Sequence, residues 1–248
     1  MLHAFTTRGG GVSAPPFDTL NLGRGAGDDA AAVRENRARA LAAVGRDISD
    51  QVEASQVHGR EVAVVTAVHR GRKIQGADGL TSCDPAAVLA MHSADCVPVL
   101  VVDPVKRAVA AVHAGWRGTA AGAAAAAVRA MGEAFGSRPA DLLAAIGPAI
   151  GPCCYEVGGE VVEALAPWPW QGAVLRPASK GRWFLDLWEA NRRQIEAAGV
   201  PPGAIAASGL CTSCHPALFF SHRRSGRTGR MAAFIAAPDR RDSLPPAE

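Results

Sequence analysis

No hydrophobic run in the 248 residues approaches the length of a membrane span; each is broken by Pro, Asp or Arg within about ten residues. The first residues, MLHAFTTRGGGVS, lack a basic segment followed by an apolar one, so no secretory leader is expected. Cysteines are few for the length, six in all, and two are adjacent (Cys153 and Cys154). That pattern argues against a secreted disulfide framework and for a reduced, cytoplasmic protein. Charge of one sign is scarce as well. A net charge of +3 and a pI near 8.7 are too mild to imply a nucleic-acid partner. Internal repeats and long linkers are also missing.

What is present is an ordinary globular balance, 48% hydrophobic and 20% charged, over a length that can bury a substantial core. Helices are expected over 28–44 (Asp28 or Asp29 as N-cap, Gly45 as stop), 118–135 (capped by Thr119, ended by Gly136), 159–165 and 186–198. Strands are expected over 61–68, 97–102, 108–112, 142–146 and 232–236. Helices and strands interleave, but hairpins occur too. The reading is an α+β, mixed αβ layered domain over 1–237, with sheets flanked by helices and a disordered tail at 238–248.

The stretch MHSADCVPVL puts His92, Ser93, Asp95 and Cys96 at the mouth of an apolar strand. A tight turn, DPVKR, separates that strand from the next. A hairpin centred on Pro104-Val105 sets Cys96 opposite His113, with Cβ atoms about 4.5–5.5 Å apart. A thiol and an imidazole so placed suit a shared metal or a Cys/His nucleophile pair. After His113, the run AVHAGWRGTAAG reads as strand, Gly-rich turn and helix N-terminus. Such a turn can hold an anion, with Arg117 adding charge. The plain alternative is a strand–turn–helix joint packed tightly on glycine. His58, in QVHG, gains no role from spacing alone, and neither do His69, His92, His215 or His222.

TTRGGGVSAPPFDTLNLG, QVHG, ADGLTS, SADCVPVL, HAGWRGTAAG, AIGPAIGPCCYEVG, DLWEANR and FFSHRRSGRTGRMA follow one another over residues 4–236. In that order they resemble the YfiH-like family, also called polyphenol-oxidase or laccase-domain proteins, which has FAMIN as a mammalian relative. The resemblance implies a mixed αβ fold similar to that of toxin deamidases of the CNF kind, which use Cys/His chemistry. It also implies a zinc held by His58, Cys96 and His113, the same residues being catalytic. The implied activity is phosphorolysis of adenosine, inosine and methylthioadenosine, with adenosine deamination beside it. Its partners are then a nucleoside and phosphate, with no nucleic acid and no membrane. Copper-dependent polyphenol oxidation and editing of cell-wall precursors are further activities the resemblance brings.

The residues weigh these chemistries differently. A His₂Cys set leaves one tetrahedral position for substrate or water, as in catalytic zinc sites. Copper also suits such donors, but seven histidines are too few for a four-copper laccase. Phosphorolysis needs an anion site, for which Arg8, Arg117 and the Gly118–Thr119 helix end are candidates. Asn21 is a candidate partner for a ribose hydroxyl, and Phe219, Phe220 and His222 for a nucleobase. His222 stands where many relatives of the family carry Tyr. Asp95 and Glu156 are the acidic candidates for moving a proton. A Cys₄ zinc site from Cys153, Cys154, Cys211 and Cys214 is disfavoured here: adjacent cysteines fit a knuckle poorly, and Cys214-His215-Pro216 lacks its glycine. The basic run SHRRSGRTGR, without interleaved aromatics, reads as a solvated loop.

Overall fold

Strand Val97–Asp103 carries Val97, Val99 and Val101 toward one side and Leu100 and Val102 toward the other, and all are buried. A strand apolar on both faces must be covered on both faces. It lies inside a six-stranded mixed sheet ordered Ile205–Ala207, Leu143–Ile146, Val97–Asp103, Ala108–Ala114, Gly79–Ser82, Val62–Val64. A second, five-stranded sheet runs His3–Phe5, Met231–Ala236, Val88–Ser93, Gln51–Ala54, Lys73–Ile74. This computed structural model describes residues 1–239; apart from Pro238 and Asp239, the tail expected to be disordered lies outside that range.

Four layers result. Leu100, Val102, Val109 and Ala111 of the first sheet meet Leu89, Met91, Ala233 and Ile235 of the second. On its other face the first sheet packs Val99, Val101 and Val112 against Ala124, Val128 and Met131 of helix Ala123–Phe135. The second sheet buries Val88, Ala90 and Phe234 against Ala40 and Leu41 of helix Ala30–Ala42. Each large apolar side chain so buried contributes about 1.5–3 kcal/mol.

Helix Ala30–Ala42 starts at Asp29, whose carboxylate accepts from the N–H groups of Ala31 and Ala32, and helix Leu187–Ala197 starts at Asp186. The helix expected over 118–135 is two helices. Gly122, at φ 85°, breaks the alanine run into Trp116–Ala121 and Ala123–Phe135. The first begins at Trp116, two residues before the expected start, with Gly115 as its N-cap, and Thr119 lies buried within it as a helical residue rather than as a cap. The strand expected over 61–68 is only Val62–Val64, and a 3₁₀ turn follows at Ala67–His69.

Candidate active site

The hairpin that presents the site is offset by two residues from the register expected above: Val97 pairs with Ala114 and Pro98 with His113. Asp103 explains the offset. Its carboxylate accepts from the N–H groups of Val105 and Lys106 at 2.8 Å each. Arg107, at φ 56°, closes the connection before Ala108. Cys96 therefore lies just past the ladder, diagonal to His113 on the same face and next to Gly115. A Cβ added at Gly115 would stand 2.9 Å from the Cys96 Sγ and 3.3 Å from the His58 Cδ2.

His58 arrives from the loop after Gln51–Ala54. Two non-glycine residues there, Gln56 and His58, adopt positive φ of 57° and 63°. Such a backbone persists only where its surroundings impose it. Gln56 N donates to the Ala77 carbonyl at 2.9 Å, and fully buried Asp78 holds the rest of the loop: its carboxylate accepts from Val57 N (3.0 Å), His58 N (2.9 Å) and Gly59 N (2.7 Å). The same carboxylate lies 3.0 Å from the His113 Nδ1. An ionised carboxylate can only accept, so Nδ1 carries a proton and Nε2 is the nitrogen that would face a metal ion. One buried acid thus orients both histidines. Their rings meet edge to face, with centroids 5.0 Å apart.

The ligating atoms of His58, Cys96 and His113 all lie within 4.8 Å of one another, so the cluster could hold a metal ion. Burial pushes the Cys96 thiol up, but the His113 charge and hydrogen bonds from both histidines outweigh it and bring it from 9.0 to about 6. Burial likewise opposes charge on His113, yet the Cys96 thiolate and Asp78 raise it from 6.5 to about 9. Without a metal, the two groups form a thiolate–imidazolium pair.

A cavity of about 420 Å³ opens on these three residues, within the ~300–1,000 Å³ usual for small-molecule sites. Arg24, Lys73, Arg230 and His222 also line it, as do Glu53 and His92. Beneath it, buried Arg37 binds Gln51 Oε1 at 2.7 Å and the Leu22 carbonyl at 3.0 Å, and pairs with Glu53. Burial and then the Arg37 charge push His92 down to about 3, so it is neutral at physiological pH. A smaller cavity of about 90 Å³ shares His58 and Cys96 and is walled by Trp116, Arg117, Tyr155 and Asp95.

Other residues singled out from sequence are placed less directly. Arg8 stacks on Phe220 at 4.6 Å and forms an ion pair with Asp18 at 2.9 Å, and it is not part of the wall of either cavity. Fully buried Asn21 accepts from Gly23 N (3.0 Å) and Arg230 N (2.9 Å) and donates to Asp28 (2.9 Å), positioning the loop instead of facing the cavity. Phe219 and Phe220 are packed with Ala94 and Met231, not exposed as a floor for a base. Arg117 lies over the Trp116 ring at 4.2 Å, beside the smaller cavity. The Thr119 N–H is spent on the Gly115 carbonyl at 2.8 Å, which removes it from the expected anion cradle. Asp95 accepts from Thr212 Oγ1 at 2.6 Å and from Arg223 N at 2.7 Å, and Glu156 pairs with Arg182 at 3.0 Å. Sequence reasoning missed Asp78 and Glu53. The ADGLTS motif contained the first, but only the folded 57–59 loop reveals its task.

Residues 2–238 match the model of a family described as multi-copper polyphenol oxidoreductase laccase. The chain belongs to that family. Among its relatives, the purine nucleoside phosphorylase YlmD of Geobacillus stearothermophilus is 45% identical over 93% of this chain and 88% of its own length. The purine nucleoside phosphorylase YfiH of Escherichia coli is 40% identical over 93% of this chain and 91% of its own. The crystal structure of YlmD from Geobacillus stearothermophilus superposes with a TM-score of 0.93 at 44% identity, covering 96% of this chain and 92% of that one. The Bacillus licheniformis hypothetical protein YfiH gives 0.93 at 41% identity, covering 95% and 92%. The mixed αβ fold expected from sequence is the fold of these structures. Among the described residues, no helix is long and apolar enough to cross a membrane.

Proposed function

We propose that the chain is a zinc-dependent purine nucleoside phosphorylase acting on adenosine, inosine and methylthioadenosine, with adenosine deamination as a side activity. The observation that carries this reading is the His58–Cys96–His113 cluster, braced by Asp78 and opening on a cavity edged with Arg24, Lys73 and Arg230. Two imidazoles and a thiolate fit zinc and leave one position for an outside ligand; copper suits the same donors. Zinc held there would supply a Lewis acid for a phosphate or ribose oxygen.

The chain's own groups divide the remaining work. Asp78 fixes the His113 tautomer and holds the His58 loop. Arg24, Lys73 and Arg230 neutralise and orient phosphate in place of Arg8 and the Gly118–Thr119 helix end. Phosphate oxygen bonds to the ribose anomeric carbon, the bond to the purine nitrogen breaks, and its electron pair leaves with the base. The relatives' names support this reading, and so does the scarcity of histidine ligands against a laccase mechanism: among the described residues, only one of the two potential metal clusters contains histidine.

A second reading is favoured by the thiolate–imidazolium–carboxylate line Cys96–His113–Asp78, which suits a metal-free cysteine hydrolase of the toxin-deamidase kind acting, for example, on a cell-wall precursor. Incubating metal-replete protein with adenosine, with and without phosphate, separates the two. Adenine formed only with phosphate supports phosphorolysis. Turnover that survives chelation but not thiol alkylation supports the hydrolase.

Two further outcomes are expected. Gly115→Ala introduces a methyl group 2.9 Å from the Cys96 Sγ at an ordinary φ of −71°, so it strains the site and not the backbone. Metal content should fall by close to one ion per chain while the melting temperature stays within a few degrees, as elemental analysis and calorimetry will record. In metal-stripped protein, iodoacetamide should alkylate Cys96 at a rate half-maximal near pH 6 and level above it. Below that pH the thiolate gains a proton and the rate falls. His113→Asn should move the midpoint up toward the ordinary thiol value.

A further inference from the structure

Four cysteines far apart in sequence converge at the edge of the active-site wall. Cys153 and Cys154 follow Gly151 in one turn, and Cys211 and Cys214 frame another. A parallel bridge between Ala149 and Cys211, with Thr212 N donating to the Ala149 carbonyl at 3.0 Å, holds the two turns side by side. The Sγ of Cys214 is 3.5 Å from that of Cys153 and 3.4 Å from that of Cys154, and all four sulfurs lie within 4.8 Å of one another. A tetrahedral zinc with Zn–S bonds near 2.3 Å needs sulfurs about 3.8 Å apart. The two separations at Cys214 are close to that spacing, and none of the others exceeds it by more than about 1 Å.

The adjacency of Cys153 and Cys154, which counted against such a site in the sequence, is resolved by the backbone. Cys154 N and Tyr155 N both donate to the Gly151 carbonyl at 3.0 Å, so the segment coils instead of extending. Neighbouring side chains in a coil diverge by about 100° rather than pointing to opposite faces. The surroundings also suit a thiolate at Cys211. Gly151 N–H donates to the buried Cys211 Sγ at 3.3 Å. The Arg224 guanidinium, bonded to the Thr212 and Ser213 carbonyls at 2.7 and 2.9 Å, sets positive charge against the 211–214 turn. Cys153 and Cys214 are exposed, which gives an ion a way in.

We propose that Cys153, Cys154, Cys211 and Cys214 form a second metal centre, a structural tetrathiolate zinc site. Binding releases the remaining thiol protons to solvent and involves no change of oxidation state. Its place in the fold gives it a task. Thr212, between its ligands, donates to Asp95 at 2.6 Å, and Asp95 directly precedes Cys96; Tyr155, next to Cys154, lines the smaller cavity. Zinc here fastens the two loops that hold that wall. A disulfide would use only two of the four sulfurs and would require an oxidant.

Elemental analysis and zinc X-ray absorption on the full chain, purified under reducing conditions, test the site. Wild type should hold about two zinc ions. Cys96→Ser, which leaves the four-cysteine cluster untouched, should retain about one, with a first shell of four sulfurs near 2.3 Å. Cobalt-loaded Cys96→Ser should show intense tetrahedral thiolate bands that Cys214→Ser, added to it, weakens. Three results would overturn the proposal: no retained zinc in Cys96→Ser, a first shell containing nitrogen or oxygen, or a disulfide among the four cysteines in freshly reduced-purified wild type.

Discussion

Cys96→Ala is expected to lower phosphate-dependent release of adenine by about 10³-fold or more while leaving the protein folded. The substitution takes away one of three donors and the anionic one, so the two imidazoles that remain hold zinc far more weakly. A loss of that size is about 4 kcal/mol of transition-state stabilisation, within what a Lewis acid at the reacting oxygen supplies. The side chain is small and only partly buried, so the cavity it leaves costs little stability. The rate is measured with zinc-supplemented variant and wild type, alongside circular dichroism and metal content. A variant that keeps its fold and near-wild-type turnover would remove the thiol from the mechanism.

Asp78→Ala should be the most damaging single change outside the donor set. It deletes the acceptor for three backbone N–H groups and for the His113 Nδ1. At ~1 kcal/mol for each lost hydrogen bond, the cost is about 3–4 kcal/mol of stability. The left-handed His58 loses the contact that imposes its backbone and is freed from the cluster. Loss of such a supporting carboxylate weakens metal binding by ~10–100-fold. Asp78→Asn keeps the shape but offers a donor toward N–H groups, so it should fall between alanine and wild type in both melting temperature and zinc affinity. Equal zinc affinity in all three proteins would show that Asp78 is merely structural.

The contrast between these residues shows what can be read from a sequence. Cys96 and His113 were legible because a short hairpin makes partners of residues at either end, and a two-residue error in register still left them on one face. That error came from the turn, where the Asp103 carboxylate gathers the Val105 and Lys106 N–H groups and Arg107 takes a left-handed backbone that ordinary residue preferences do not announce. Gly122 lies inside an alanine-rich stretch that predicts one helix, yet its φ of 85° ends one helix and opens another. Arg8, Asn21 and Phe219 have the chemistry of substrate contacts, but the two loops that carry them use them internally. Asp78 and the four-cysteine cluster depend on segments some twenty and sixty residues apart meeting, and no local pattern encodes that meeting. The layered mixed αβ class needed only alternation and interleaving, which the strands carry in their own residues.

In the proposed reaction phosphate, not water, is added to the ribose. The most direct test is to run zinc-replete wild type on adenosine and phosphate in heavy-oxygen water and weigh the sugar product by mass spectrometry. Phosphorolysis predicts ribose-1-phosphate with no heavy oxygen on the sugar and adenine in equal amount. Free ribose carrying heavy oxygen, or inosine with no adenine, would contradict it.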